Sequence, residues 1–339
     1  MTNEPSLLTL APFSLGRAAK AALLGPLLAR LTARHYEKCR PYRRMLDGLG
    51  RPPAPVGAAP DVPDAPDVPD APDVPAAPDA PALERLPFIP AALFKEMELL
   101  SVEKAEVVKT MTSSGTAGQA VSRIFLDRDT AAAQQKALVK IVGDFIGRGR
   151  RPMLIIDSPA VMKDRSMFSA RRAGILGFSI FGAERVYALT EEMRLDFEAV
   201  EDFLNRRQGR DILLFGFTFM VWRHFCQELL KAGRKLDLSR GLLIHGGGWN
   251  KLQAEAVSPE TFKGLLEEVA GLRRVYDYYG MVEQTGSIYM QCGRGHLHAS
   301  LFSEIIIRDP ADFSVCPPGR PGLIQTISVL PESYPGHSL

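Results

Sequence analysis

The residues best suited to chemistry begin with a run of seven small side chains, four of them hydroxyl-bearing and two of them glycine. The run consists of Thr112, Ser113, Ser114, Gly115, Thr116, Ala117 and Gly118. Glycines let the backbone approach a ligand and turn its N–H groups inward, and hydroxyls add further donors. The run therefore indicates a loop that holds phosphate oxygens, although a tight turn has the same composition. It is not a P-loop, because no Gly-Lys-Ser/Thr follows at the required spacing.

A second feature is the run of three glycines, Gly246, Gly247 and Gly248, which follows His245 and a short apolar segment. That segment, residues 242–244, reads Leu-Leu-Ile and predicts a buried strand. Open α/β sheets bind ligands at the carboxyl ends of their strands, where a flat group such as adenine fits against bare backbone. A flexible strand-to-helix turn is the alternative, since glycine is common in such turns.

A third feature follows another predicted strand and combines aromatic rings with a carboxylate. It comprises Tyr278, Tyr279, Gly280 and Glu283. An aromatic ring can stack on a purine, and a carboxylate a few residues later can hold Mg²⁺ through its oxygen atoms. A tyrosine in the core and a glutamate on the surface are the default for either residue taken alone.

Two further groups invite a functional interpretation with less support from the sequence. Cys292, His296 and His298 fall within seven residues, which suits either a metal site or a polar hairpin. A metal site needs a fourth ligand at matching spacing, and the chain offers none. An apolar acyl pocket or ordinary core packing would each account for the aromatic side chains of Phe215, Phe217, Phe219 and Trp222.

The elements that carry these features read as short apolar strands alternating with helical segments. Strands are predicted at residues 153–156, 186–189, 212–215, 242–244, 274–276 and 305–307. Helices are predicted at residues 128–146, 192–208, 218–232 and 258–270. Continuous apolar strands separated by amphipathic helices are typical of a parallel sheet buried on both faces, so the predicted fold class is α/β. From about residue 287 onward strands and turns dominate, which predicts a small β-rich part.

The first 82 residues do not follow this alternation of strands and helices. Residues 15–49 show leucines at helical spacing, so residues 1–50 are predicted to form a helical segment that packs on the main domain. Basic residues follow this segment, and a helix lying on a membrane surface is the alternative. Residues 51–82 are rich in Pro, Asp and Ala and predict a disordered linker, because each proline removes a backbone donor and fixes φ.

The composition argues against a nucleic-acid-binding protein, a membrane-spanning protein and a disulfide-rich protein. The chain has 339 residues, a net charge of +2 and 46% hydrophobic residues, and it lacks the basic stripe typical of nucleic-acid binders. No apolar run reaches the roughly 18–20 residues that span a bilayer, so stable membrane insertion is not expected. Its four cysteines are scattered without a Cys-x-x-Cys pair, which favours a reducing, cytoplasmic location over a disulfide framework.

Taken in order, the three loops resemble those of the adenylate-forming enzymes, which include acyl-CoA synthetases, peptide-synthetase adenylation domains and luciferases. The phosphate loop of that superfamily reads Ser-Gly-Thr-Thr-Gly, and residues 114–118 match it except at Ala117. The superfamily's Tyr-Gly-x-Thr-Glu is similar to residues 279–283, where Val282 replaces Thr. Residues 318–322 resemble the Gly-x-x-Gly turn that precedes a strand in these enzymes.

Within the superfamily the chain looks most like the LuxE-type acyl-protein synthetases, which supply activated fatty acid to the reductase of bacterial luminescence systems. Residues 90–102, 113–124, 245–249, 280–284 and 305–310 carry this likeness. The likeness implies that the segment after the linker is a large adenylation domain of mostly parallel sheets flanked by helices.

The resemblance also implies a role for each residue singled out above. Residues 112–118 hold the ATP phosphates, and Thr116 and Glu283 are the catalytic residues. Glu283 also binds Mg²⁺, and Tyr279 stacks on adenine. The remaining contacts to adenine and the acyl carboxylate are assigned to His245, Gly246, Gly247, Gly248, Tyr278 and Gly280. ATP and Mg²⁺ are the expected cofactors, and a fatty or aryl acid is the expected substrate.

Two departures from the superfamily pattern bear on activity. The chain ends at Leu339, before the ribose-binding Asp and the small mobile C-terminal domain with its catalytic Lys. No cysteine follows Cys316 to serve as the acyl acceptor of the LuxE type. The leading hypothesis is acyl-AMP formation for transfer to a protein or thiol, such as an acyl reductase or a carrier protein. The alternative is a non-catalytic subunit that binds a nucleotide or acyl-adenylate.

Overall fold

The computed structural model describes residues 7–53, 83–113, 120–147, 149–163 and 170–339. The predicted linker lies outside these ranges apart from its first three residues, so its disorder stays a prediction. Residues 114–118 of the predicted phosphate loop also lie outside them. The chain divides into two compact units. The first unit comprises Met1–Asp144, Met281–Ile288 and Ala299–Leu339, and the second comprises Phe145–Gly280 and Tyr289–His298.

The elements follow the alternation that the sequence predicts. The α-helices of the described residues are α1 (Arg17–Lys38), α2 (Arg40–Gly48), α3 (Leu93–Glu96), α4 (Arg128–Ile146), α5 (Ala160–Lys163), α6 (Ala170–Phe178), α7 (Phe197–Arg206), α8 (Thr218–Met220), α9 (Gln227–Ala232) and α10 (Pro259–Ala270). The strands are β1 (Lys109–Thr112), β2 (Arg123–Leu126), β3 (Arg151–Ile156), β4 (Gly182–Tyr187), β5 (Ile212–Phe217), β6 (Gly241–Gly246), β7 (Arg274–Tyr279), β8 (Tyr289–Gln291), β9 (Leu297–His298), β10 (Ser303–Arg308) and β11 (Leu323–Ser328).

The second unit is built on a seven-stranded sheet with the order β4-β3-β5-β6-β7-β8-β9. The first five strands in this order pair in parallel, as predicted. Strands β8 and β9 extend the sheet with antiparallel pairing. Because these strands are parallel, the carboxyl ends of β5, β6 and β7 lie on the same side of the sheet. The loops after these strands, including the glycine run, therefore lie together.

Both faces of this sheet are covered, which explains why its strands read as continuous apolar runs. One face packs side chains such as Leu214 and Leu243 against Phe203 of α7 and Leu266 of α10 in a single apolar cluster. On the other face the ring of Phe178 in α6 stacks on Phe215 with centroids 4.4 Å apart. The α/β fold class is confirmed by this arrangement.

The first unit contains two small antiparallel sheets, β1-β2 and β10-β11. The last residues of the chain run beside β11, because Thr326 and Leu339 exchange two backbone hydrogen bonds of 2.9 Å. The backbone N–H of Ser328 donates to the carbonyl of His337 in the same way. The C-terminal segment is thus held along one strand rather than left as a free tail.

Helix α1 packs within the first unit, as the apolar spacing predicts. Leu24 and Leu28 are fully buried in a cluster with Ile306 of β10 and Ile327 of β11. The ammonium group of Lys20 is also buried there and lies 2.9 Å from the carboxylate of Glu304. Among the described residues, no helix is long and apolar enough to cross a membrane.

The N-terminal segment is two helices rather than one, because the chain leaves helical geometry at Cys39, with φ −107° and ψ 98°. Pro41 follows in the first turn of α2. A proline has no N–H to continue the preceding helix but is well tolerated at a helix start, so it accounts for the break.

Two stacked histidines join these helices to the C-terminal segment. The rings of His35 and His337 lie 4.9 Å apart, and neither is exposed. His35 contacts the carbonyl of Pro331 at 3.0 Å, and His337 contacts the hydroxyl of Thr32 at 2.9 Å. Burial lowers the pKa of His337 to about 3. Burial, together with the neighbouring His337, lowers the pKa of His35 well below its ordinary value.

Acid should destabilise the protein through these histidines. Their folded-state pKa values lie below the unfolded value near 6.5, so the unfolded chain binds more protons as the pH falls from 6.5. These histidines leave the free energy of unfolding unchanged above that pH. Below it, each of them lowers the free energy of unfolding by up to about 1.4 kcal/mol per pH unit. Urea unfolding at pH 6.5 to 5 measures the slope, and His337→Gln should reduce it. The exposed His296→Gln variant is the control, and equal slopes in His337→Gln and the wild type contradict the prediction.

Candidate active site

The glycine run begins inside β6 and continues at its carboxyl end. Parallel pairing sets Gly246 beside Tyr278 of β7. A Cβ on Gly246 would lie 2.6 Å from the carbonyl oxygen of Tyr278, so only glycine fits. Gly247 and Gly248 adopt φ of 79° and 61°, in the left-handed region. Among the described residues, a Cβ on Gly248 would meet no atom within 4 Å, so none of them covers that stretch of backbone.

The two tyrosines at the end of β7 occupy different environments. Tyr278 packs into the sheet, with its ring 5.0 Å from that of Phe178. Burial, followed by the charge of Asp277, raises the pKa of Tyr278 above its ordinary value. Tyr279 is 44% exposed at the end of the strand. Of the two rings, the exposed one suits the predicted stacking on adenine, and the role itself stays a prediction.

The aromatic residues considered for an acyl pocket also include both buried and partly exposed side chains. Phe215 is fully buried, and Trp222 packs edge-to-face on Trp249 at 5.6 Å while only 6% exposed. Phe217 and Phe219 are half-buried on the edge of the same core. Core packing therefore accounts for Phe215 and Trp222. Phe217 packs against Gly247 and so contacts the glycine run.

In the first unit, Ser113 closes the base of the predicted phosphate loop. Its backbone N–H donates to the carbonyl of Ser122 at 3.2 Å. Its hydroxyl oxygen accepts from the backbone N–H of Ser122 at 2.9 Å. Thr112 is the last residue of β1 and pairs with Arg123 of β2. These contacts bring the two ends of the loop together, and the Ser113 hydroxyl donates to no acceptor among the described residues.

Glu283 lies in a helical turn that begins three residues after Tyr279, and its side chain is only 8% exposed. Within the described ranges, its carboxylate has no hydrogen bond or ion pair. A buried carboxylate without a cationic partner costs free energy, and a divalent cation would remove that cost. No cluster of three metal-binding side chains occurs among the described residues. The environment fits Mg²⁺, which commonly takes one or two protein carboxylates and the oxygens of a bound phosphate.

The turn that carries Glu283 is held by its neighbour Gln284, which the sequence analysis did not single out. The side-chain amide of Gln284 donates to the carbonyls of Thr326 at 3.0 Å and Gly336 at 2.9 Å. A Cβ on Gly336 would lie 2.6 Å from the carbonyl oxygen of Glu283. The C-terminal segment thus fixes this turn, and nothing local in the sequence marks a pairing over some fifty residues.

The cysteine and histidines at residues 292–298 form a hairpin between β8 and β9. The backbone N–H of Cys292 donates to the carbonyl of His296 at 2.9 Å, and Gly295 turns with φ of 84°. Hydrogen bonding to His298 and to backbone N–H groups lowers the pKa of the Cys292 thiol to about 7. All four cysteines are free of disulfides in the structure.

The close packing at Gly246 predicts a large loss of stability in Gly246→Ala. The new methyl group would force the backbones of β6 and β7 apart, which should lower the free energy of unfolding by about 1–3 kcal/mol. Gly264→Ala is the control, because a Cβ on this residue of α10 meets nothing within 4 Å. That variant should be neutral or stabilising by roughly 0.5–1 kcal/mol. Urea unfolding measures both, and similar values for the two variants contradict the prediction.

Solved structures share this fold. 2-Hydroxyisobutyryl-CoA ligase in the postadenylation state, with 2-HIB-AMP bound, matches with a TM-score of 0.66 and 13% identity over 94% of this chain. An open conformation of that ligase with 2-HIB-AMP and CoA gives a TM-score of 0.63 and 14% identity over 95% of this chain. The chain covers 61% of the first structure and 68% of the second. At these identities the likeness shows the fold.

Sequence comparison gives the family. The model of the family described as acyl-protein synthetase, LuxE, matches residues 80–339. The long-chain-fatty-acid–luciferin-component ligase of Vibrio harveyi is 24% identical over 262 residues, which are 75% of this chain and 67% of that protein. The family match includes the glycine run, both tyrosines and Glu283, and it extends over well more than half of the chain. The chain therefore belongs to the LuxE acyl-protein synthetase family.

Proposed function

We propose that this protein activates a carboxylic acid, most simply a fatty acid, by joining it to ATP as an acyl-AMP. The carboxylate oxygen of the acid attacks the α-phosphorus of ATP, a new C–O–P linkage forms, and pyrophosphate leaves. The observation that carries the proposal is the buried carboxylate of Glu283, which follows the Tyr-Gly motif and has no cationic partner in the described part of the chain. Family membership and the adenylate-forming fold support it.

The proposed roles require positioning rather than covalent catalysis. Residues 112–118 hold the phosphates, Tyr279 stacks on adenine, and the glycine run receives the flat part of the adenylate. Thr116 and Glu283 act at the reacting phosphate. When Mg²⁺ is bound, it neutralises phosphate charge. In-line attack is accelerated when the reacting atoms are held together and charge develops beside fixed donors.

The nature of the acid and of the acceptor forms the finer part of the proposal. The Vibrio harveyi relative is named for a long-chain fatty acid, which supports a fatty acyl chain here. A protein or thiol group, such as that of an acyl reductase or a carrier protein, is the proposed acceptor. The proposed acyl-AMP is an activated mixed anhydride, so such a nucleophile can take the acyl group and release AMP.

Acid-dependent exchange of pyrophosphate into ATP tests the proposal. Saturated fatty acids of several lengths and a set of aryl acids are supplied one at a time with Mg²⁺. Exchange with at least one acid supports adenylation, and the preferred acid defines the substrate class. Binding of a non-hydrolysable acyl-sulfamoyl-adenosine without any exchange would favour the non-catalytic binding subunit instead. Thermal stabilisation by that mimic rises as RT ln(1 + [L]/Kd), which measures the binding.

Glu283→Gln should reduce exchange by about 10²-fold, because it removes the carboxylate proposed to hold Mg²⁺ beside the reacting phosphates. The apparent affinity for Mg²⁺ should fall in the same variant. Glu96→Gln removes an exposed carboxylate of α3 and is the matched control, expected to keep wild-type exchange. Wild-type exchange and Mg²⁺ dependence in Glu283→Gln would contradict the assigned role.

A further inference from the structure

Three polar side chains from three different elements lie together next to the glycine run. Thr218 is the first residue of α8 and directly follows β5, His245 belongs to β6, and Asp277 belongs to β7. Parallel pairing sets His245 opposite Asp277. The hydroxyl of Thr218 lies 2.9 Å from Nδ1 of His245 and 3.2 Å from the carbonyl oxygen of Gly246. The Gly246 carbonyl therefore lies within hydrogen-bond distance of Thr218, a residue outside β6.

The single hydroxyl proton of Thr218 decides how this group is arranged. If Thr218 donates to the carbonyl of Gly246, its oxygen accepts from Nδ1–H of His245, and both contacts are hydrogen bonds. If the imidazole carries its proton on Nε2 instead, Thr218 donates to Nδ1 and the Gly246 carbonyl loses this donor. Nε2 is buried without a partner in the described residues in either case. The Nδ1–H tautomer therefore forms one more hydrogen bond.

The charge of Asp277 favours the same tautomer. An oxygen of this carboxylate lies 3.7 Å from Nδ1 of His245, so its negative charge attracts a proton to that nitrogen. Partial burial of the Asp277 side chain, which is still 42% exposed, raises its pKa to about 6, against the opposing effects of the Tyr278 backbone and of Lys263 in α10. Burial, with Lys263 adding to it, lowers the pKa of His245 to about 3. The imidazole is therefore neutral across the range in which Asp277 titrates.

We propose that Thr218, His245 and ionised Asp277 are positioning residues that form a hydrogen-bonded relay, fixing the Gly246 carbonyl and with it the conformation of the glycine run. Loss of the Asp277 charge removes one of the two effects that favour Nδ1–H, so part of the population moves the imidazole proton from Nδ1 to Nε2; in those molecules the Thr218 hydroxyl turns toward Nδ1 and the Gly246 carbonyl loses this donor. Since the glycine run is the proposed adenylate contact, the relay makes nucleotide binding sensitive to pH near neutrality. Only this last step rests on the proposed function.

Nitrogen-15 NMR of the histidines tests the relay without requiring catalysis. In the wild type at pH 7.5 the imidazole of His245 should show a protonated Nδ1 and a bare Nε2. Lowering the pH through 6, or replacing Asp277 with Asn, should shift the population toward Nε2–H. An Nε2–H tautomer in the wild type at pH 7.5, or no response to Asp277→Asn, would overturn the relay. These outcomes do not depend on whether the protein adenylates an acid.

The kinetics of Thr218→Val and Thr218→Ser then test whether the relay affects ATP binding. Thr218→Val keeps the shape but has no hydroxyl, and it should raise the KM for ATP about five- to tenfold with little change in kcat, as expected for one lost hydrogen bond. Thr218→Ser retains the hydroxyl and should restore the KM to within about twofold, because the same bond forms. Asp277→Asn should reduce the dependence of the KM on pH between 5 and 7.5 relative to the wild type. An unchanged KM in Thr218→Val, or no rescue by Thr218→Ser, would refute the positioning role.

Discussion

The close approach of β6 and β7 at their carboxyl ends is the constraint on which the second unit depends. Gly246 lies beside the backbone of Tyr278 at a distance that no side chain could occupy. Strand pairing continues to the last residue of β6 because of this contact, and the chain can then turn through Gly247 and Gly248 with positive φ. The loop that follows is bare backbone at the edge where parallel sheets bind ligands.

A comparable constraint operates in the first unit, where distant parts of the chain hold one short turn. Gln284 donates to carbonyls of β11 and of the C-terminal segment, and Gly336 leaves room for the carbonyl of Glu283. The same segment is joined to α1 through His337 and Thr32. The N-terminal helix precedes the region that the family model matches, yet it supports the segment that holds the Glu283 turn.

The regular elements were predicted well because their periodicity reflects burial. A parallel strand covered on both faces must be apolar throughout, as residues 212–215 and 242–244 are, and a helix on one face repeats every three to four residues. The helical spacing over residues 15–49 carried no sign of the break at Cys39, where Pro41 favours a new start over continuation. Apolar spacing is insensitive to such a break, because both helices bury apolar or aromatic side chains.

By itself, the sequence determined the fold class, the positions of the glycine run and the Tyr-Gly motif, and the family, because glycines, hydroxyls and strand-forming runs carry their physical consequences locally. Only the tertiary structure decided which neighbours those residues have. The contacts of Thr218 and Asp277 with His245, and those of Gln284 with the carbonyls of two residues of the C-terminal part, have no local signal, since hydrogen bonds between distant segments leave no periodic pattern. Which tyrosine is exposed and which glutamate is buried likewise depend on packing within each unit, which no local pattern of the sequence records.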